Sequence, residues 1–148
     1  CFLTGDYDEA GKCARQTFIE AYEGLKTFRF KAKIHTWLCR IAVNACESVP
    51  EKPYKPSEEK PPIIHPLRTP GGDMPLLIRS ETVEQAVQIR KLIHSLPRKD
   101  KMVLILRDME GLPYKHIAVI TGLKPEAVRA TLARTRELLK EKVIKNGM

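Results

Sequence analysis

Arg129 and Arg134, with Ala130 and Ala133 between them, sit in the stretch PEAVRATLARTRELL at residues 125–139. A guanidinium can read a guanine edge bidentately or clamp a phosphate, and small neighbours let a helix approach a groove closely. A second group, FRFKAKIHTWLCRIAVNA at residues 28–45, sets three cations and a histidine among aromatic rings before an apolar helical stripe. Rings and cations together hold unpaired bases, worth about 1 to 3 kcal/mol per stacked base. The solvated start of an ordinary helix has the same composition, so this stretch leaves both readings open.

Other chemistries find little support. The carboxylate pairs Asp6/Asp8 and Glu58/Glu59 have no histidine or nucleophile beside them in sequence, so solvated charge accounts for them better than acid–base catalysis. Gly71-Gly72 follows Pro70 and is no phosphate loop. Cys1, Cys13, Cys39 and Cys46 form no CxxC pair, and no histidine stands at zinc-finger spacing from them, which predicts reduced thiols and neither metal nor cofactor. No apolar run nears the roughly 20 residues that span a bilayer. The expectation is a soluble, cytoplasmic, non-catalytic protein without a membrane partner.

The 148-residue chain carries a net charge of +8, and its surplus is C-terminal, since residues 81–148 hold 14 basic and 8 acidic side chains. Such a surplus favours a polyanionic partner through counterion release.

The elements that must position these residues are helical, and no stretch alternates as a strand would. Ala14, Phe18, Ala21, Tyr22 and Leu25 recur at helical spacing, as do Ile34, Trp37, Leu38, Ile41, Ala42 and Ala45. Two such helices bury too little surface to fold alone, so a further N-terminal helix or a partner is expected to complete this core. Eight of the 11 prolines lie within residues 47–80, which predicts an extended linker. Beyond it come a helix ending at SLPRKD, a second from Pro97 to Gly111, a short third ending at Gly122 and a fourth starting at Pro125. The third and fourth form a helix-turn-helix, closed by Ile117, Ala118 and Leu123, with Val128, Leu132, Thr135 and Leu139 as the buried stripe of the last helix. The expected fold is all-α: two small helical domains, residues 1–46 and 81–148, joined by the Pro-rich linker 47–80.

LPRKDKMVLILRDMEGLPYKHIAVITGLKPEAVRATLARTRELLKE resembles the C-terminal promoter-binding domain of bacterial sigma factors of the extracytoplasmic-function class. TFIEAYEGLKTFR and HTWLCRIAVNA resemble the N-terminal domain of the same family, in the matching order. The resemblance implies a subunit that brings core RNA polymerase to promoter DNA, and it leaves room for an anti-sigma factor. Carried over by position, Arg129, Thr131, Arg134 and Arg136 become candidates for the minus-thirty-five element, with Lys124 adding a phosphate contact at the helix N-terminus. Gln16, Phe18 and Tyr22 match the helix that docks on polymerase. Residues 28–44 match the part that holds the melted minus-ten strand, with Lys31 and Lys33 in the capture loop and Arg40 and Asn44 facing solvent or DNA. Phe30 and His35 fit either contact or packing, while Trp37 lies on the apolar stripe and reads as core.

The chain departs from the family at Lys12, Arg15 and Gln16, where acidic residues and a Gln-Glu pair are usual, and at Thr131, where arginine is common. CESVPEKP lacks the usual basic run. Reversed charge at a polymerase contact is expected to weaken or redirect docking. The alternative function is an autonomous helix-turn-helix regulator that does not join polymerase.

Overall fold

The computed structural model describes residues 3–29, 31, 33–54 and 83–147, and all regular structure among these is helical. The chain divides into two compact units, one within residues 3–55 and one within 56–148. Most of the linker stretch, residues 55–80, lies outside the described residues.

The first unit pairs α1 (Tyr7–Leu25) with α2 (Ile34–Glu47). Asp6 caps α1, its carboxylate accepting from the Asp8 amide at 2.8 Å, which satisfies a donor the helix itself leaves unpaired. The buried face of α1 is Cys13, Thr17 and Ala21, so of the predicted stripe Ala14, Phe18, Ala21, Tyr22 and Leu25 only Ala21 is buried. Phe18 and Tyr22 are 70% and 75% exposed, and Leu25 is exposed as well. The helix is thus turned about a quarter turn from the sequence expectation. Small residues explain the choice, because they let α1 approach α2 closely. A Cβ on Gly24 would stand 3.0 Å from the Trp37 ring, and the Thr17 hydroxyl is satisfied within its own helix by the Cys13 carbonyl at 2.6 Å. In α2, Thr36, Val43 and Ala45 are buried and Ile34 is exposed. Trp37 is half-buried against Gly24 and Phe28, its ring centroid 4.7 Å from that of Phe28.

Residues 48–54, which the sequence assigns to the linker, run back over this unit. The Lys52 amide donates to the Thr4 carbonyl at 3.3 Å and its ammonium to Glu9 Oε1 at 2.7 Å. That bond, ahead of the one from Lys12, holds the Glu9 carboxyl below its ordinary pKa.

The second unit contains α3 (Val83–His94), α4 (Arg98–Leu104), α5 (Tyr114–Thr121) and α6 (Pro125–Lys145). The helix α4 continues without a break into a π-helical turn, Ile105–Met109. Sequence reading expects one regular helix here. The underwound turn resets the angular position of Asp108, which a regular α-helix would place about 80° from Asp100. Both carboxylates are buried. The long α6 packs on α3, α4 and α5, and the shared core is Ile93, Leu96, Val103, Leu106, Leu112, Ile117, Val128, Leu132 and Leu139.

Gly122 ends α5 at φ 70°, ψ 14°, the left-handed conformation that turns the chain into α6. A Cβ there would meet nothing within 4 Å, so the constraint is backbone strain and not space. Gly122→Ala should therefore destabilise the second unit by about 1 to 2 kcal/mol, and Gly122→Asn by less. Thermal melts of the two variants followed by circular dichroism check this; equal melting temperatures for alanine and glycine would contradict it.

Candidate nucleic-acid interface

The turn at Gly122 sets α6 so that Val128, Leu132, Thr135 and Leu139 are buried. This is the stripe the sequence predicts. Pro125 occupies the first turn, where its missing amide costs nothing, and Lys124 stands exposed at the N-cap. Arg129, Ala130, Ala133 and Arg134 are all exposed. The outward face of α6 is therefore narrow, with two alanines along it and guanidinium groups at its margins, as close approach to a DNA groove requires.

The four α6 candidates differ in what already holds them. Arg129 is exposed and its guanidinium carbon lies 5.6 Å from the Tyr114 ring centroid. Arg134 donates through Nη2 to Asp100 Oδ1 at 2.8 Å, yet its side chain is 64% exposed, so the fork keeps donors directed at solvent. Thr131 is half-buried, and its carbonyl accepts the Thr135 hydroxyl at 2.7 Å. Arg136 is already paired within the protein. Its Nε donates to Asp108 Oδ2 at 3.2 Å and its Nη2 to Oδ1, and this pairing raises the guanidinium pKa further. The fork thus closes on a buried carboxylate, while the arginine itself stays about one-third exposed. Arg134 and Arg136 are two residues apart and so project to opposite sides of α6. Their ion pairs with Asp100 and Asp108 straddle its buried stripe.

Sequence reasoning missed both aspartates, although two acids within the apolar run KDKMVLILRDM were a signal that buried partners would be needed. It also missed Tyr114 and Arg107. The Arg107 guanidinium carbon lies 4.9 Å from the same tyrosine ring, and its Nη1 donates to the Leu112 carbonyl at 3.0 Å.

In the first unit Lys33 caps α2, and Lys33, Arg40 and Asn44 are all exposed. Spacings of seven and four align these three along one face of the helix. His35 is exposed nearly half a turn away, its Nε2 3.8 Å from the Cys39 sulfur. Lys31 is exposed in the bend before α2, and Phe30 lies outside the described residues. On α1, Phe18 and Tyr22 project from one exposed face, and the Gln16 amide donates to Glu20 Oε1 at 2.9 Å.

Comparison with known proteins decides the family. Residues 86–139, which span the helix-turn-helix, match the family described as Sigma-70, region 4. The ECF RNA polymerase sigma-E factor of Escherichia coli (strain K12) is 32% identical over 135 residues, covering 87% of this chain and 71% of that protein. The chain belongs to the extracytoplasmic-function sigma factors.

The sigma-E factors of Salmonella typhimurium (strain LT2) and Haemophilus influenzae are similar to it at 32% and 30% identity over the same shares of chain. The sigma factor RpoE of Bartonella quintana, solved in complex with the anti-sigma factor NepR, shares its fold at a TM-score of 0.63 and 18% identity, covering 95% of this chain and 84% of that one. As a sigma factor the chain directs core RNA polymerase to promoter DNA. Sigma factors are subunits of that polymerase, and no described helix of this one is long and apolar enough to cross a membrane.

Proposed function

We propose that this sigma factor divides its work between its two units. Residues 81–148 bind duplex promoter DNA at the minus-thirty-five element through the first turns of α6, with Arg129 and Arg134 reaching base edges or phosphates and Lys124 a phosphate. Thr131 lies at the edge of that contact, and Arg136 serves the interior. Residues 1–46 dock on core polymerase through Gln16, Phe18 and Tyr22, and hold the melted minus-ten strand with Lys31, Lys33, Arg40 and Asn44, joined by Phe30 and His35. The stretch beyond residue 54, within the Pro-rich segment 47–80, tethers the two. The protein acts as a non-catalytic subunit in the cytoplasm, and an anti-sigma factor is a fitting regulator, since the Bartonella quintana relative was solved with one.

The observation that carries this reading is the exposure pattern of α6: a buried stripe of four residues opposite a slim face edged by Arg129 and Arg134. Arginine at such a face loses little entropy per bond formed, because its planar fork is already organised.

Arg129→Ala tests it. If Arg129 reads a base, the variant should lose about 1 to 3 kcal/mol of discrimination at one position of the element, measured by titrating matched and single-substitution duplexes. A uniform loss on every sequence, with a salt slope shallower by about one, would mark a phosphate contact instead. Run-off transcription with added core polymerase tests the division of labour. Duplex binding without core association would favour the autonomous regulator.

A further inference from the structure

We propose that Tyr114 is a positioning residue for Arg129, holding its guanidinium pointed at the DNA before binding. This rests on the reading that Arg129 contacts DNA. The tyrosine opens α5 directly after Pro113, whose carbonyl accepts from the His116 and Ile117 amides at 2.9 and 3.1 Å. Its backbone is therefore fixed by the first helical turn. Its ring is braced by Arg107, whose guanidinium carbon stands 4.9 Å from the centroid and whose Nη1 is itself anchored to the Leu112 carbonyl at 3.0 Å. Arg129, from α6, meets the same ring at 5.6 Å.

The arrangement joins three elements. The π turn supplies Arg107, the start of α5 supplies the ring, and α6 supplies the arginine on the exposed face. A guanidinium against an aromatic ring is held by the ring's quadrupole while its N–H edges stay available for hydrogen bonds. Two like charges on one ring also repel each other. Arg107 is half-buried and anchored to the Leu112 carbonyl, which leaves the exposed Arg129 the member that leans outward, toward a polyanion. An exposed arginine without such a support samples many rotamers and must lose that freedom on binding DNA. The ring removes part of this loss in advance, which is how preorganisation raises affinity.

The test uses the full chain and a fluorescein-labelled duplex selected by that chain from a randomised library, beside a scrambled duplex. Tyr114→Leu should weaken binding to the selected duplex by about two- to fivefold, the range an exposed cation–π contact supplies. Tyr114→Phe, which keeps the ring, should bind as the parent does. In an Arg129→Ala background Tyr114→Leu should have no further effect. The Arg129 Nε–Hε resonance supplies a readout that folding alone does not move: ring-current shifted in the parent and in Tyr114→Phe, unshifted in Tyr114→Leu. An equal loss from Tyr114→Leu with and without Arg129 overturns the proposal, as does a Tyr114→Phe loss matching that of leucine, which would make the hydroxyl a direct contact. An unshifted Arg129 resonance in the parent overturns it without any variant. If Arg129→Ala itself binds both duplexes as the parent does, the DNA contact of Arg129 is what fails.

Discussion

Ile117→Ala should destabilise the second unit by about 2 to 5 kcal/mol, read as a lower urea midpoint in far-ultraviolet circular dichroism. The side chain is fully buried on α5, in a core it shares with Val128 and Leu132 of α6. Truncation removes three carbons, at about 0.8 kcal/mol each for lost transfer alone, and the cavity left behind adds more because neighbouring helices relax only partly. The neighbouring Ala118 is already small, so it cannot swing in to fill the space. A small domain has only about 5 to 15 kcal/mol of net stability, so the variant should lose much of its folded population on warming, and promoter binding with it. A midpoint shifted by less than the equivalent of 1 kcal/mol would mean that α5 is not the keystone its burial implies.

Arg136→Ala should destabilise the same unit by about 2 to 3 kcal/mol. The reason differs: no cavity is made, but the carboxylate of Asp108, only 3% exposed, loses both hydrogen bonds from the guanidinium. The arginine is itself about one-third exposed, which places the expected cost below the full value for a deeply buried pair. Arg136→Lys should recover only part of the loss, because an ammonium cannot reproduce the forked geometry. Asp108→Asn in the alanine background should restore some stability by removing the unpaired charge. Duplex titrations supply the contrast with Arg129: molecules of Arg136→Ala that remain folded should show the parent's salt slope. A slope shallower by about one, with unchanged stability, would return Arg136 to the DNA surface.

These two variants mark where sequence reading succeeded and where it could not. The stripe Val128, Leu132, Thr135 and Leu139 was legible because its steps of four, three and four residues follow the helical repeat in a helix opened by Gly122 and Pro125. Ile117 and Ala118 followed from the same turn. In α1 the pattern was ambiguous. Apolar residues recur at Ala14, Phe18, Ala21, Tyr22 and Leu25, yet of these only Ala21 is buried, beside Cys13 and Thr17. Hydrophobicity favoured the larger side chains, whereas the approach of two helices favoured the smaller ones. Large apolar groups were left outside, on the face proposed to dock on core polymerase.

Arg129, Arg134 and Arg136 look alike in sequence, being arginines of one helix within eight residues. Composition, charge and helical period were enough to establish an all-helical chain with a basic helix-turn-helix, since these depend on near neighbours along the chain. The separate fates of the three arginines depend on residues far away in sequence: the ring of Tyr114, the carboxylate of Asp100 and that of Asp108. The two carboxylates reach α6 from opposite sides, one of them through a π turn that no local period announces. Long-range electrostatic pairing of this kind exists only once the helices have packed, so which arginine leans on a ring and which ones close on carboxylates was decided by tertiary structure alone.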